Sequence, residues 1–410
     1  MKAGISSIGM YIPPLHLTHD DLADARDIPK DKFRIGLGNT SMAIVPPWDD
    51  TVTMAANAAE MAIENAGIDK DDIGLLIVST ETGVDQSKPV ASFVQGLLGI
   101  GHRTRVYEIK HACYGGTVAI MNAIDWVKSQ HHKGKKALVI TSDIAKYGLN
   151  TLGEPTQGAG AIAFVISDDT DLIHFLPDLN AFYANDVHDF WRPNGYLTPI
   201  VDGKYSIECY REALEFCAKD LQQNLIQDNG KNLIDFADYF IYHLPFTRMV
   251  HKAHTKLLTT LNPSLSDEQA NEMYEASFNE SINPALLGSQ QVGNIYTGSV
   301  YMSLLSLIEN IEEDLINKNI GIFSYGSGCG AEFLIAHIGK GIKKQAHLQL
   351  LKRQIDKSRK ITIKEYEDLY GDQGQCESIK QHDIVKPGDE FSRYIFTGIK
   401  DHKRQYTKNI

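Results

Sequence analysis

Cys113 stands in Lys110-His111-Ala112-Cys113-Tyr114-Gly115-Gly116-Thr117, where a helical pattern begins just beyond the thiol. A helix N-terminus offers free N–H groups and positive potential, which lowers a thiol pKa and favours the nucleophilic thiolate. The paired glycines let another group approach closely. The expected chemistry is covalent catalysis by sulfur; the alternative is a buried structural thiol. Cys209, Cys217, Cys329 and Cys376 lack this setting and read as structural.

Three further residues could serve such a nucleophile. His243 ends an apolar run in Tyr242-His243-Leu244-Pro245-Phe246. Pro245 stops strand pairing, so the imidazole projects at a strand end, where α/β proteins place their sites. Glu81 follows the run Leu75 to Val78, where partial desolvation raises a carboxyl pKa and suits general acid/base work. Asn294, between Gly293 and a helical pattern, carries an amide able to donate to a carbonyl. Each has a structural alternative: a hydrogen-bonded histidine, a solvated strand-end carboxylate, an N-cap. The other histidines sit mostly in polar surroundings, as at His131-His132, and read as exposed.

Two Gly-rich segments, Gly153 to Gly160 and Ser324 to Gly330, follow strand-like runs. Neither has a Walker ending or a dinucleotide fingerprint. They read as turns that bring backbone N–H groups to a centre, as an oxyanion hole requires, or as plain hairpins.

The elements that must position these residues follow from apolar patterning. Unbroken runs at 75–78, 137–140, 161–166, 239–242, 320–323 and 333–336 predict strands buried on both faces. Helical patterns cover 52–66, closed by Gly67, then 117–127 and 299–316. The fold class is α/β, with helices covering sheets. Element order repeats: strand, Glu81, loop, Cys113, helix, strand, Gly-rich loop, strand; then strand, His243, loop, Asn294 and the same sequel. Glu81 to Cys113 spans 32 residues and His243 to Asn294 spans 51, the excess falling where polar 262–284 reads as an insertion. A duplicated fold is expected, divided into halves 1–167 and 168–410. Residues 183–203 read as a long ordered loop near the junction.

The 410 residues are 43% hydrophobic and 22% charged, ordinary values for a globular protein. Net charge is −12, which argues against nucleic acid as a partner. The basic stretch 340–364 alternates with apolar residues and reads as a solvated helix face. Five cysteines show no zinc spacing, so no metal site is expected. Reduced thiols, no signal-like start and no membrane span suggest a cytoplasmic protein.

With Cys113, His243, Asn294 and both Gly-rich segments, the chain closely resembles the bacterial 3-hydroxy-3-methylglutaryl-CoA synthase family. The resemblance is carried by Ser79-Thr80-Glu81, Ala112-Cys113-Tyr114-Gly115, Tyr147 to Asn150 and Gly153 to Gly160. Asp189-Phe190-Trp191-Arg192-Pro193, His243 to Phe246, Gly293 to Ser299 and Ser324 to Gly328 extend it. It implies a thiolase-like fold of two pseudo-symmetric halves, a homodimer, and acetyl-CoA and acetoacetyl-CoA as partners in the mevalonate route. Cys113 would take the acetyl group. Glu81 would remove the methyl proton and protonate the new alkoxide. His243, with Asn294, would polarise the acetoacetyl carbonyl, and N–H groups at Cys113 and near Ser327 would hold the thioester oxygen. Substrate contacts are expected at Tyr147, Thr156, Ser327, Arg248 and Lys252, and no cofactor is demanded. His111, Arg248 and Cys329 depart from the family's usual residues; Cys329 reads as packed.

Rival readings share parts of this set. A ketoacyl synthase or a thioesterase-like hydrolase needs no Glu81. A related synthase acting on carrier-bound acyl groups in polyketide β-branching would keep every catalytic residue. A non-catalytic acyl-CoA-binding protein has no use for Cys113, Glu81 and His243 together.

Overall fold

The computed structural model describes residues 2–129, 132–311, 314–372 and 390–409. His131 and Cys376 lie outside them. Nine strands form the principal sheet: β1 (Gly4–Tyr11), β2 (Ile73–Ser79), β3 (Arg105–Ile109), β4 (Lys136–Ala145), β5 (Gly158–Ser167), β6 (Ile173–Ala184), β7 (Tyr239–Tyr242), β8 (Asn319–Gly326) and β9 (Gly330–Ile338). Their order is β7-β8-β9-β6-β1-β5-β4-β2-β3. Read outward from the β1/β6 junction, each side begins with its first strand in sequence and then takes its last, next-to-last and second. Orientations match as well: β2/β4 and β7/β8 are parallel, whereas β4/β5, β8/β9, β1/β5 and β6/β9 are antiparallel.

All six apolar runs are strands. Alternate side chains along each serve different cores, as a period of two requires. Ile162, Phe164 and Ile166 of β5 join Ile320, Ile322, Leu334 and Ala336 in a central core. That core holds the helices α2 (Gly115–Lys128) and α5 (Ser299–Asn310) between the two halves of the sheet. Ala161, Ala163 and Val165 face the opposite way, onto α1 (Thr51–Ala66). Phe323, Phe333 and Ile335 face α3 (Gly203–Asn229) and α4 (Met249–Leu261). The layers thus run helix, sheet, helix, sheet, helix.

Local chemistry explains the boundaries. Asp50 and Thr53 form a capping box at the start of α1, and Gly67 closes it at φ 64°. The last helical pattern stops at Asn310, short of Ile316. Its amide donates to the carbonyls of Ser306 and Pro284, and Ile311 is extended. The 262–284 stretch contains a helix, Asp267–Ser277, capped by Ser266 and Gln269. The lysines and arginines between 343 and 364 are all exposed, on short helices and the two-residue strand Arg359–Lys360, while Leu350 and Leu351 are buried.

The histidine expectation is corrected. His19, His132 and His254 are buried. His132 packs edge-on against Trp126, and Tyr242 and His254 share a 2.9 Å hydrogen bond. Trp126 and Tyr242, each on a neighbouring element of the chain, help to cover these rings.

Candidate active site

Cys113 lies in the connection from β3 to α2, preceded by Ala112 at φ 41°. Left-handed backbone at a non-glycine residue is uncommon and forms a sharp elbow. The elbow is held by close packing of the β8–β9 hairpin. A Cβ on Gly326 would meet the Tyr114 N at 2.5 Å, and one on Gly330 would meet the His111 ring at 2.7 Å. The second Gly-rich segment therefore lets the hairpin press directly on the nucleophile loop.

Cys113 Sγ lies 3.5 Å from Glu81 Oε1. Glu81 occupies the turn after β2, and Asp143 of β4 fixes that turn. Asp143 Oδ1 accepts from the Glu81 N–H at 2.9 Å and from the hydroxyls of Thr80 and Thr82 at 2.9 and 2.8 Å. Its Oδ2 accepts from the N–H of Thr297 at 3.1 Å and from the Thr297 hydroxyl. One fully buried carboxylate thus ties two strand ends of the first half to the turn preceding α5.

Electrostatics here corrects one expectation and agrees with another. The Cys113 thiol is pushed well above its ordinary pKa, first by burial and then by Glu81, Asp143 and Asp189. The resting group is a thiol; desolvation and three carboxylates outweigh a helix start that comes only at Gly115. Glu81 is pushed up to about 8, by burial and then by Asp143, against the opposing pull of Arg192. Burial also raises Asp143, which its hydrogen-bond donors oppose.

His243 follows β7 and is buried, its backbone N–H donating to the Phe323 carbonyl at 2.8 Å. Burial holds its pKa down to about 3, so the imidazole is neutral at physiological pH. Its Nδ1 has no hydrogen-bond partner among the described residues. Asn294 is buried as well. Its Oδ1 accepts from the Tyr296 N–H at 2.9 Å and the Ser299 hydroxyl at 2.7 Å, so the amide NH₂ is the end left to donate.

Tyr147 lies beside Tyr296, Thr156, Cys113 and Glu81, and burial pushes its phenol above the ordinary range. Phe190 sits edge-on to both Tyr147 and Tyr296, at 6.4 and 5.9 Å between ring centroids. A cleft of about 650 Å³ opens beside Glu81, walled by Lys110, His111, Trp191, Arg192, Ser327 and Cys329. The turn bearing Ser327 is pinned: the Gly328 N–H donates to Asp189 at 2.9 Å and the Cys329 N–H to the Asn185 carbonyl at 2.7 Å. Those two donors are thus already engaged. Cys329, Cys209 and Cys217 are buried.

Arg248 and Lys252 are not in this cleft. Both are exposed, one turn apart at the start of α4, and therefore share a helix face. Two functional candidates carried no role in the sequence reading, Asp143 and Arg192. Asp143 had a detectable signal: a charged residue between the apolar run 137–140 and apolar Ile144-Ala145, with no Gly or Pro between to end the strand.

Comparison with known proteins gives a consistent result. Residues 1–171 match the model for the hydroxymethylglutaryl-coenzyme A synthase N-terminal region, and residues 173–276 and 260–408 that for the C-terminal region. The chain is 38% identical to the hydroxymethylglutaryl-CoA synthase of Enterococcus faecalis, over 99% of this chain and 100% of that one. A solved structure of MvaS in complex with 3-hydroxy-3-methylglutaryl coenzyme A is 36% identical, with a TM-score of 0.93 and coverage of 100% and 99%. A second, of HMG-CoA synthase complexed with CoA, is 34% identical, with a TM-score of 0.86 and full coverage of both chains.

Proposed function

The chain belongs to the hydroxymethylglutaryl-CoA synthase family and has its thiolase-like fold, and from that premise we propose how its own residues condense acetyl-CoA with acetoacetyl-CoA and water. The products are 3-hydroxy-3-methylglutaryl-CoA and CoA, which suits the mevalonate route to isoprenoids.

Cys113 Sγ attacks the acetyl thioester carbonyl. The carbon–sulfur bond to CoA breaks, and the thiol proton ends on the departing CoA sulfur. Backbone N–H groups of Cys113 and Ser327 hold the thioester oxygen. Glu81 as carboxylate then takes a methyl proton from the acetyl group, and the resulting enolate carbon adds to the ketone of acetoacetyl-CoA. Glu81 returns its proton to the new alkoxide. Water finally cleaves the Cys113 thioester and leaves a free carboxylate on the product. A carboxyl with a pKa of about 8 suits this double duty, because it both takes and returns a proton near neutral pH. His243, neutral and buried, polarises the ketone by hydrogen bonding, and the Asn294 NH₂ supplies a second donor. Holding the acetyl group covalently makes condensation effectively intramolecular.

The observation that carries this reading is the 3.5 Å approach of Cys113 Sγ to Glu81 Oε1. Tyr147, Thr156 and Ser327 would line the acyl path, and Arg248 and Lys252 would meet CoA phosphates outside it. The same reading divides the chain into similar halves, 1–167 and 168–410, which the mirrored strand order supports. It makes the protein a cytoplasmic homodimer: a thiol nucleophile suits a reducing compartment, and β3 at the rim of the sheet offers an edge for a second copy. Among the described residues no helix is long and apolar enough to cross a membrane.

Intact mass with acetyl-CoA, followed by acetoacetyl-CoA, tests the scheme. One acetyl adduct, absent in Cys113→Ala and discharged by acetoacetyl-CoA, is expected. An adduct that ignores acetoacetyl-CoA would indicate a carrier-bound acceptor, and no adduct from folded protein would remove catalysis altogether.

A further inference from the structure

Arg192 reaches Glu81 from 111 positions away in the chain, and its guanidinium donates to the Glu81 backbone carbonyl. The segment that delivers it is anchored on both sides. Upstream, Asp189 is fully buried and accepts from the Tyr325 hydroxyl at 2.8 Å, the Gly328 N–H at 2.9 Å and the Ser206 hydroxyl at 3.2 Å. Phe190 is wedged between Tyr147 and Tyr296, and Trp191 pairs with Ile200 in a short antiparallel ladder. The guanidinium itself is exposed at the cleft mouth. An arginine presented from so rigid a base has little freedom to lose on making its contact.

The groups around Glu81 make that charge matter. Asp143 of β4 faces it with a negative charge, Cys113 and Tyr296 with neutral groups held neutral by burial, and Tyr147 likewise. Lys110 and Asp186 line the same cleft with opposite charges. Arg192 is the cation whose field reaches the Glu81 carboxylate and opposes Asp143.

We propose that Arg192 is a positioning residue for Glu81, pinning the 80–83 turn through the Glu81 carbonyl and supplying the positive charge that favours the ionised carboxylate. This goes beyond the catalytic scheme but rests on its assignment of Glu81 as base. Arginine, with a planar fork of donors, can hold the carbonyl and still present charge toward the side chain. Lysine can supply the charge but not the fork.

Two measurements on Arg192→Gln and Arg192→Lys separate this inference from the reading it rests on. The first is a ¹³C NMR titration of Glu81 in glutamate-labelled protein, assigned by difference against Glu81→Gln; it reads the carboxyl whatever its catalytic duty. Arg192→Gln is expected to raise the midpoint by about 0.5–1 unit, a shift discounted for the exposure of the guanidinium, and Arg192→Lys to restore most of it. The second is the pH profile of condensation by pre-acetylated enzyme. Below its midpoint Arg192→Gln should be about 3–10-fold slower than wild type, with part of the loss recovered at alkaline pH and KM for acetoacetyl-CoA little changed. An unmoved NMR midpoint overturns the proposal, as does a loss equal at every pH or a rise confined to KM, which would make Arg192 a substrate anion contact. A midpoint that moves while the rate profile does not would leave Arg192 as the electrostatic partner of Glu81 and instead reject Glu81 as the base.

Discussion

Cys113 Sγ and Glu81 Oε1 lie 3.5 Å apart, and the same Asp143 that grips the Glu81 N–H adds its negative charge to both groups. A nucleophile kept as a thiol and a base kept partly protonated are the consequence. Acetyl transfer between two sulfurs is nearly balanced in energy, so the resting site needs no permanent thiolate, and a carboxyl near neutral pKa can both remove and return a proton.

The first prediction concerns pH. Glu81 is raised to about 8, so its active carboxylate is lost as pH falls through that value. Condensation by pre-acetylated enzyme should decline about tenfold per pH unit below the midpoint. His243, held down to about 3, should add no second limb between pH 5 and 8. Stopped-flow rates across that range check both statements.

The second concerns His243. Its neutral ring has an orphaned buried Nδ1 and no part in the Cys113–Glu81 contact. His243→Ala should acetylate normally yet raise KM for acetoacetyl-CoA. Equal loss of acetylation, read by intact mass, would place His243 in the first half-reaction instead.

The third concerns Gly326. A methyl group there would meet the Tyr114 backbone nitrogen at 2.5 Å, and backbone cannot swing aside as a flexible side chain can. Gly326→Ala should cost about 1–3 kcal/mol in urea unfolding and should displace the Cys113 elbow, lowering acetylation more than global stability alone explains.

The fourth concerns Asp143. Its two oxygens receive only donors. Asp143→Asn turns an NH₂ against at least one of them, a mismatch worth about 1–3 kcal/mol. Loss of its charge should also lower the Glu81 midpoint, so the pH limb should move to lower pH while Tm falls.

Much of this was readable in the residues themselves, and the failures have physical causes. Unbroken apolar runs such as 161–166 announce strands because both faces are buried. β1, β3 and β6 were missed because serines and glycine interrupt the first, Arg105 and Glu108 the second, and His174, Pro177 and Asp178 the third. Helix α1 was visible through its Ala/Met/Glu-rich pattern and the closing Gly67, whereas α2 and α5 begin without a side-chain cap. The Cys113 elbow was visible as a motif, but its protonation was not, since Glu81, Asp143 and Asp189 converge on it from three separate segments. Motif spacing carries the identity of a site; charge balance depends on which distant groups the fold delivers.

The most direct test of the central claim is a single turnover of pre-acetylated Glu81→Ala with acetoacetyl-CoA. Loss of the carboxylate removes the base but also lowers the burden on the thiol, so the acetyl adduct should still form, and condensation should then run about 10²–10⁴-fold slower than wild type. Discharge of the adduct into 3-hydroxy-3-methylglutaryl-CoA at the wild-type rate would contradict the assignment of Glu81 as the base.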